Sequence, residues 1–269
     1  MSENYFVKIA AELSVSIKQV EATTELLKEG ATVPFIARYR KELTGSLDEV
    51  QIMAIRDRLE QLEELDKRRD TILKSIKEQG KLTPDLEKKI FAAETMAILE
   101  DLYLPYRPKK RTKATIAKEK GLEPLALLIL EQENIAIEAE AQKFVDTEKE
   151  VNSTAEALEG ARHIIAEFIN EAQEARAKMR DLFLKNALIT SKVLPNKEKS
   201  EEAQKYKDYF DWSEAIAKIP SHRLLAMRRG EKELILSLDI APEEQDALDL
   251  LEKEFVKTRN EASNQVKLA

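Results

Sequence analysis

LDEVQIMAIRDRLEQLEELDKRRDTILKSIKEQ, residues Leu47 to Gln79, contains neither Gly nor Pro. Its apolar residues Ile52, Ile55, Leu59, Leu62, Leu65, Ile72, Leu73 and Ile76 recur at the spacing that places them on one helical face. One helix of about 33 residues would be about 50 Å long at ~1.5 Å per residue, enough for other helices to be laid around it. Gly80 marks its end. The charged run Asp66 to Asp70 interrupts the stripe, which predicts that this part crosses solvent or contacts another module.

Immediately upstream lies TVPFIARYRKELTGSLDE, Thr32 to Glu49. Arg38, Arg40 and Lys41 are set among Phe35, Ile36, Tyr39 and Leu43, so one short piece carries core anchors and a cationic face. Pro34 suits a first helical position and Gly45 ends the piece. Ser46 with Glu49 then reads as a capping box for the long helix. Further upstream, Ile9, Ala10 and Leu13, then Ile17, Val20, Leu26 and Leu27, mark two helices, the second capped by Ser16 and Gln19. The run IAAELSVSIKQV loosely matches helix-turn-helix spacing, with Ser14 in the turn usually given to Gly. As DNA readout it is weak, because Glu21, Glu25 and Glu29 oppose Lys18 and Lys28. A packing hairpin is the favoured reading.

Composition agrees with a helical protein. The 269 residues include 43% apolar and 35% charged side chains but only 6 Gly and 8 Pro. Cysteine is absent, which removes disulfides and thiolate chemistry. No apolar run approaches the roughly 18 to 20 residues that span a bilayer, so a cytoplasmic protein with no membrane partner is expected. A net charge of −7 means that any nucleic-acid contact must come from local patches.

Thr83 and Pro84 open a helix to about Ala93, and Thr95 to Leu102 forms another. Leu125 to Leu130 implies deep burial. Glu131 to Glu150 reads as an exposed acidic helix ending in a loop, after which Asn152 or Ser153 caps a helix with Leu158, Ile164, Ile165, Phe168 and Ile169. Ala172 to Asn186 continues it. Leu188 to Leu194 and Glu233 to Ile240 read as strands, and Asn196 to Gln204 as a loop. Pro220 and Ser221 open a helix that Gly230 terminates, Pro242 to Lys257 is a final amphipathic helix, and the tail to Ala269 is expected to fray. The fold class is mostly α, an irregular helical array organised around one long helix with a minor two-strand element. The domains read as 1–150, with the helix-turn-helix-like start, long helix and basic loop, and 151–269, a second helical region with short strands.

The sequence contains no phosphate loop, nucleophile elbow or zinc-protease motif, so no catalytic residue, metal or cofactor is assigned and no enzyme activity is expected. His163 with Glu159 and Glu167 at i−4 and i+4 is a distant metal candidate, more readily a hydrogen-bonded helix histidine. His222 beside a capping Ser221 reads as structural. Three basic clusters remain as candidate nucleic-acid contacts: Arg38, Arg40 and Lys41; Arg107, Lys109, Lys110, Arg111 and Lys113; and Arg223, Arg228 and Arg229. Salt bridges to the chain's 51 acids are favoured for the first and third. The middle one surrounds Pro108 with no acid inside it, which suits phosphate or an acidic protein. Tyr103 and Tyr106 beside it are as suited to plugging the core as to stacking on bases.

Four ordered segments carry a resemblance: TVPFIARYRKELTGSLDEVQI, LEDLYLPYRPKKRTKATIAKEKGLEPLA from Leu99, ALEGARHIIAEFI from Ala157, and DYFDWSEAIAKIPSHRLLAMRRGEKE from Asp208. Together they resemble the N-terminal helical region of the bacterial Tex family of transcription accessory proteins. The resemblance implies that a nuclease-like domain, helix-hairpin-helix elements and an RNA-binding domain follow in the longer protein, of which this chain is read as the N-terminal portion. It implies a scaffold that positions nucleic-acid-binding modules, with RNA or single-stranded nucleic acid, RNA polymerase and the downstream domains as expected partners; the net charge predicts weak nucleic-acid binding by this portion alone, and a monomer is expected. Met227 departs from the family, which usually has a polar residue there. The alternative is a helical protein–protein interaction module with no nucleic-acid role.

Overall fold

The stretch Leu47 to Gln79 contains one unbroken helix, α5 (Glu49–Glu78), in the computed structural model, which describes residues 2–108 and 111–269. Its cap is not Ser46. Gly45 and Ser46 both adopt left-handed backbone angles, φ 61° and 62°, and Leu47 is buried, so the turn takes up two more residues before the helix starts. Asp48 then accepts the Gln51 N–H at 2.8 Å while Gln51 Oε1 accepts the Asp48 N–H at 3.1 Å. The capping box exists, two residues later than expected.

The chain divides into two units, Met1–Tyr106 and Arg107–Ala269. In the first, α1 (Ser2–Leu13), α2 (Ile17–Lys28), α3 (Val33–Tyr39) and α4 (Lys41–Thr44) surround the N-terminal half of α5. Ile9, Val20, Ile36, Ile52 and Ile55 are fully buried there, each contributing about 1.5–3 kcal/mol. Ser14 has φ 55°, and the capping box of Ser16 and Gln19 is present; Gln19 also donates to the Thr44 carbonyl at 3.1 Å, tying α2 to α4. The C-terminal half of α5 carries a second core, in which Ile72 and Ile76 meet Leu86 and Ile90 of α6 (Pro84–Ala92) and Leu99 and Leu102 of α7 (Met96–Tyr103).

The charged run falls within the second core's stretch of α5, between Leu65 and Ile72, and it is not an excursion into solvent. Arg69, with its side chain 12% exposed, donates to the carbonyls of Ile90 at 3.1 Å and Ala93 at 3.0 Å and pairs with Asp66. Those carbonyls end α6, where a cation meets the negative pole of the helix. Asp66 also accepts the Tyr5 hydroxyl of α1. Burial pulls the Arg69 guanidinium below its ordinary value, and its hydrogen bonds are what keep the charge tolerable. Nearby, Arg68 grips Glu100 of α7 at 2.5 and 3.1 Å, and Arg58 grips Glu12 of α1 at 2.6 and 2.9 Å. That second hydrogen-bonded pair holds the Glu12 carboxyl below the usual range.

In the second unit, α8 (Lys113–Glu119), α9 (Glu123–Glu131), α10 (Ile137–Gln142) and α11 (Thr154–Glu171) share one core with α16 (Glu261–Leu268). Residue 150, after which a boundary was expected, lies inside this unit: Asp146 and Val151 bond each other's backbone at 2.9 Å, and the core runs from Ala114 past Ala161 to Val266. Three expectations are corrected here. Leu127 of α9 is half exposed, α10 buries Ile137 and Ala141 one turn apart, and the tail is an ordered helix. The reason for the last is Gln132, held at φ 57° and almost fully buried. Its side chain donates to the Phe255 carbonyl at 2.7 Å and accepts the Lys257 N–H at 2.8 Å, while its own carbonyl accepts from Asn260, the N-cap of α16, at 2.8 Å.

Beyond α12 (Gln173–Asn186), β1 (Leu188–Val193), β2 (Asp211–Ala215) and β3 (Leu236–Ala241) form an antiparallel sheet in the order β2-β1-β3. The two expected strands do pair, with Leu188 opposite Ala241 and Val193 opposite Leu236. The unexpected third strand, DWSEA, has no β-branched residue and owes its conformation to the ladder with β1. A short helix, α13 (Glu201–Gln204), interrupts the expected loop. Helix α14 (Ser221–Lys232) passes through Gly230 instead of stopping there. A Cβ at Gly230 would stand 2.6 Å from Leu236 Cδ1, so this glycine serves close packing and not termination. Met227, fully buried on the same helix, is a core residue. After β3 comes α15 (Glu244–Phe255). No helix among the described residues is long and apolar enough to cross a membrane.

Arg69→Met, which strands Asp66 and two carbonyls, is expected to destabilise the first unit by about 2–4 kcal/mol in urea denaturation. Lys8→Met, whose partner Glu94 is 74% exposed, should stay within about 0.5 kcal/mol. Gly230→Ala should cost about 1–3 kcal/mol in the second unit by forcing Leu236 aside, read from the melting of the sheet by circular dichroism.

Candidate nucleic-acid interface

The middle basic cluster begins the second unit. Arg107 is exposed and makes no ion pair among the described residues. Lys109 and Lys110 lie outside the described residues. Arg111 reaches Glu119 at 2.9 Å, with the two side chains 70% and 54% exposed. An acid therefore does serve this cluster, supplied from the far end of α8 and invisible in the local run of sequence. Such an exposed pair contributes about 0–1 kcal/mol and exchanges readily with water or another anion. Thr112 caps α8 by accepting the Thr115 N–H at 3.1 Å, which fixes where the cluster ends. Lys113 is thereby the first residue of the helix, where the positive end of the dipole disfavours a cation. Its placement costs local stability and leaves an exposed ammonium. Tyr103 plugs the core: it is buried, its hydroxyl lies 3.0 Å from Ser75 Oγ, and Arg68 covers its ring. Tyr106 is half-buried against the same cluster.

The first cluster is arranged differently from its sequence reading. Val33, Ile36 and Ala37 fill the buried face of α3, so Phe35 and Tyr39 stand on the opposite face, 39% and 63% exposed, and Leu43 is 54% exposed. These three are not core anchors. The helical spacing held the signal, because positions 33, 36 and 37 already complete one face. Arg38 bridges to Glu49 at 3.6 Å across two exposed side chains. Arg40 donates to the Tyr39 carbonyl at 2.9 Å and lies 4.9 Å from the Phe35 ring centre. Lys41 is exposed with no ion-pair partner among the described residues.

The third cluster is largely neutralised within the second unit. Arg223 pairs with Glu214 at 2.5 Å and lies 5.0 Å from the Trp212 ring, joining α14 to β2. Arg228 pairs with Glu231. Arg229 is exposed and contributes to lowering Glu233, whose carboxyl is held down chiefly by Lys205 at 2.6 Å. Among the described residues no three His, Cys, Asp or Glu side chains converge to hold a metal. His163 stands 3.6 Å from Glu159, whereas Glu167 turns to Lys118 at 3.2 Å and Thr112 at 3.3 Å. Ser221 does not cap α14, so His222 has no capping neighbour.

Residues 3–77 match the Tex-like protein N-terminal domain, and residues 132–269 match the Tex central region-like model. The chain belongs to the Tex family. It is 49% identical over 240 residues to protein YhgF of Escherichia coli K12, covering 89% of this chain and 31% of that protein. Similarity to the transcriptional accessory protein Tex of Neisseria gonorrhoeae is 46% identity over 230 residues, 86% of this chain and 30% of that one. The human S1 RNA-binding domain-containing protein 1 is 30% identical over 221 residues, 80% and 22% of the two chains. This Tex chain thus spans about a third or less of these relatives. Arg38, Arg40 and Lys41 fall within the first Tex match and Arg223, Arg228 and Arg229 within the second, while the segment from Arg107 to Lys113 falls in neither.

If the third cluster is structural, Arg223→Ala should lower the stability of the second unit by about 1–2 kcal/mol and shift Trp212 fluorescence. Arg229→Ala should leave both unchanged within about 0.5 kcal/mol.

Proposed function

We propose that this chain is the helical scaffold of a Tex-type transcription accessory protein and that it meets single-stranded RNA through the segment from Arg107 to Lys113. The observation that supports the reading is the state of its cations. Arg107 and Lys113 are exposed without ion pairs among the described residues, Lys113 at a helix start that does not favour it, and Arg111 has a single exposed partner. Phosphate is the ligand chemistry such side chains fit, with guanidinium groups able to take two oxygens at once. The net charge of −7 confines attraction to this patch and implies weak binding by this portion alone. Supporting the scaffold reading are α5, whose two cores hold helices along both of its halves, and the transcriptional accessory role stated in the name of the Neisseria gonorrhoeae relative. The role is one of positioning and contact, with no catalytic step assigned, in the cytoplasm.

Fluorescence anisotropy with a short oligouridine at low salt should give saturable binding whose log K falls with log salt at about −0.7 per phosphate contact. Replacing Lys109, Lys110 and Arg111 together by Gln should weaken binding about tenfold or more and flatten that slope. No binding at low salt, or an unchanged slope in the triple variant, would overturn the RNA reading and favour a purely protein-binding module.

A further inference from the structure

We infer that the outer face of α3, α4 and the first turns of α5 is a docking surface for a polypeptide partner, specifically an amphipathic helix that flanks its apolar stripe with carboxylates. The inference stands apart from the RNA reading, because it concerns the other unit and a different chemistry.

Exposed apolar residues concentrate here. Tyr39 is 63% exposed, Leu43 54% and Val50 74%, with Phe35 and Met53 at 39% and 44%. Single exposed apolar side chains are ordinary on any protein surface; five within nineteen residues of chain form a patch of the kind that marks an interaction site. The bridge from Arg38 to Glu49 joins the outer face of α3 to the first turn of α5. Met53 lies one turn beyond Glu49, and Val50 is three residues before Met53, so those side chains continue the face that Phe35 and Tyr39 begin. The surface is firmly backed. Ile36 and Ala37 anchor α3 from behind, Ile52 and Ile55 anchor α5, and Gln19 holds the carbonyls of Thr44 and Gly45 at 3.1 and 3.3 Å. Tyr, Met and Arg on a rigid support are the residues that carry most of the energy in protein interfaces.

Charge selects the occupant. The acids of the corner are Glu42, Asp48 and Glu49: Asp48 is engaged as the cap of α5 and Glu49 by Arg38, while Glu42 is exposed without an ion pair among the described residues and offsets one cation. Arg40 is half-buried, stacked on Phe35 and bonded to the Tyr39 carbonyl with no carboxylate partner among the described residues, and Lys41 is exposed without an ion pair among them. The exposed Leu43, Val50 and Met53 beside them offer a phosphate backbone no contact but can bury apolar surface against a polypeptide. The two cations suffice to orient a partner whose carboxylates border an apolar stripe.

The test uses the isotope-labelled full chain and three probes: a synthetic amphipathic helix about four turns long with Leu along one face and Glu on its borders, the same peptide with Lys for Glu, and a short oligouridine. The Glu peptide should shift the amides of Phe35 to Leu43 and Val50 to Met53 saturably, and bind about tenfold more tightly than the Lys peptide. Tyr39→Ala should weaken it about tenfold, and Lys41→Glu should reverse the preference between the two peptides; both positions are exposed, so these variants fold. Failure of the Glu peptide to saturate, an unaltered preference in Lys41→Glu, or oligouridine shifting the same amides more strongly would overturn the proposal. The last outcome would assign the corner to nucleic acid. Loss of oligouridine binding elsewhere leaves this result unaffected, so the two proposals fail separately.

Discussion

A buried guanidinium holds the first unit together. Helix α5 is asked to do two jobs along its length, one core at each end, and the change from one core to the other falls between Leu62 and Leu65, one turn before Arg69. An apolar side chain at position 69 would leave the end of α6 with unpaired carbonyls. Arg69 instead supplies those carbonyls with N–H donors, and Asp66 both balances its charge and accepts from Tyr5 of α1. Helices separated by most of the unit's sequence are thereby referred to the same turn of α5.

The second unit reaches a similar end with an amide. Gln132 closes α9 in a left-handed conformation and, through its side chain and carbonyl, fixes the turn from Phe255 to Asn260. That turn delivers α16 to a core begun more than a hundred residues earlier. In both units a buried polar side chain satisfies backbone groups at a helix end, and apolar packing follows from the position so imposed.

Much of this was legible in the sequence because it is local. The uninterrupted apolar spacing of α5, the caps at Ser16, Thr83 and Ser153, and two of the three strands depend on residues within a few positions of one another. What escaped depends on partners distant in sequence. The Asp66–Asp70 run reads as solvent-facing until α6 and α1 are brought to it, the tail reads as frayed until Gln132 meets it, and DWSEA reads as nothing in particular until β1 lies beside it. Gly230 reads as a stop until Leu236 packs on it. The site residues divide in the same way. Their charge was evident, but their pairing was not, because Glu119, Glu49 and Glu214 come from other turns or elements. The outward turn of Phe35 and Tyr39 was visible in the spacing of α3 and was masked by the habit of assigning aromatic residues to the interior.

The sheet order has its own consequence. Its middle strand, β1, precedes both of its neighbours in the chain, so during ribosomal synthesis it emerges before either can cover it. The ladder with β2 closes first, and one side of β1 keeps unpaired N–H and carbonyl groups until β3 has been made. Lys192 near the end of that strand sets one charge on the waiting edge, the kind of gatekeeper that discourages pairing with another nascent chain while the order of manufacture leaves it open.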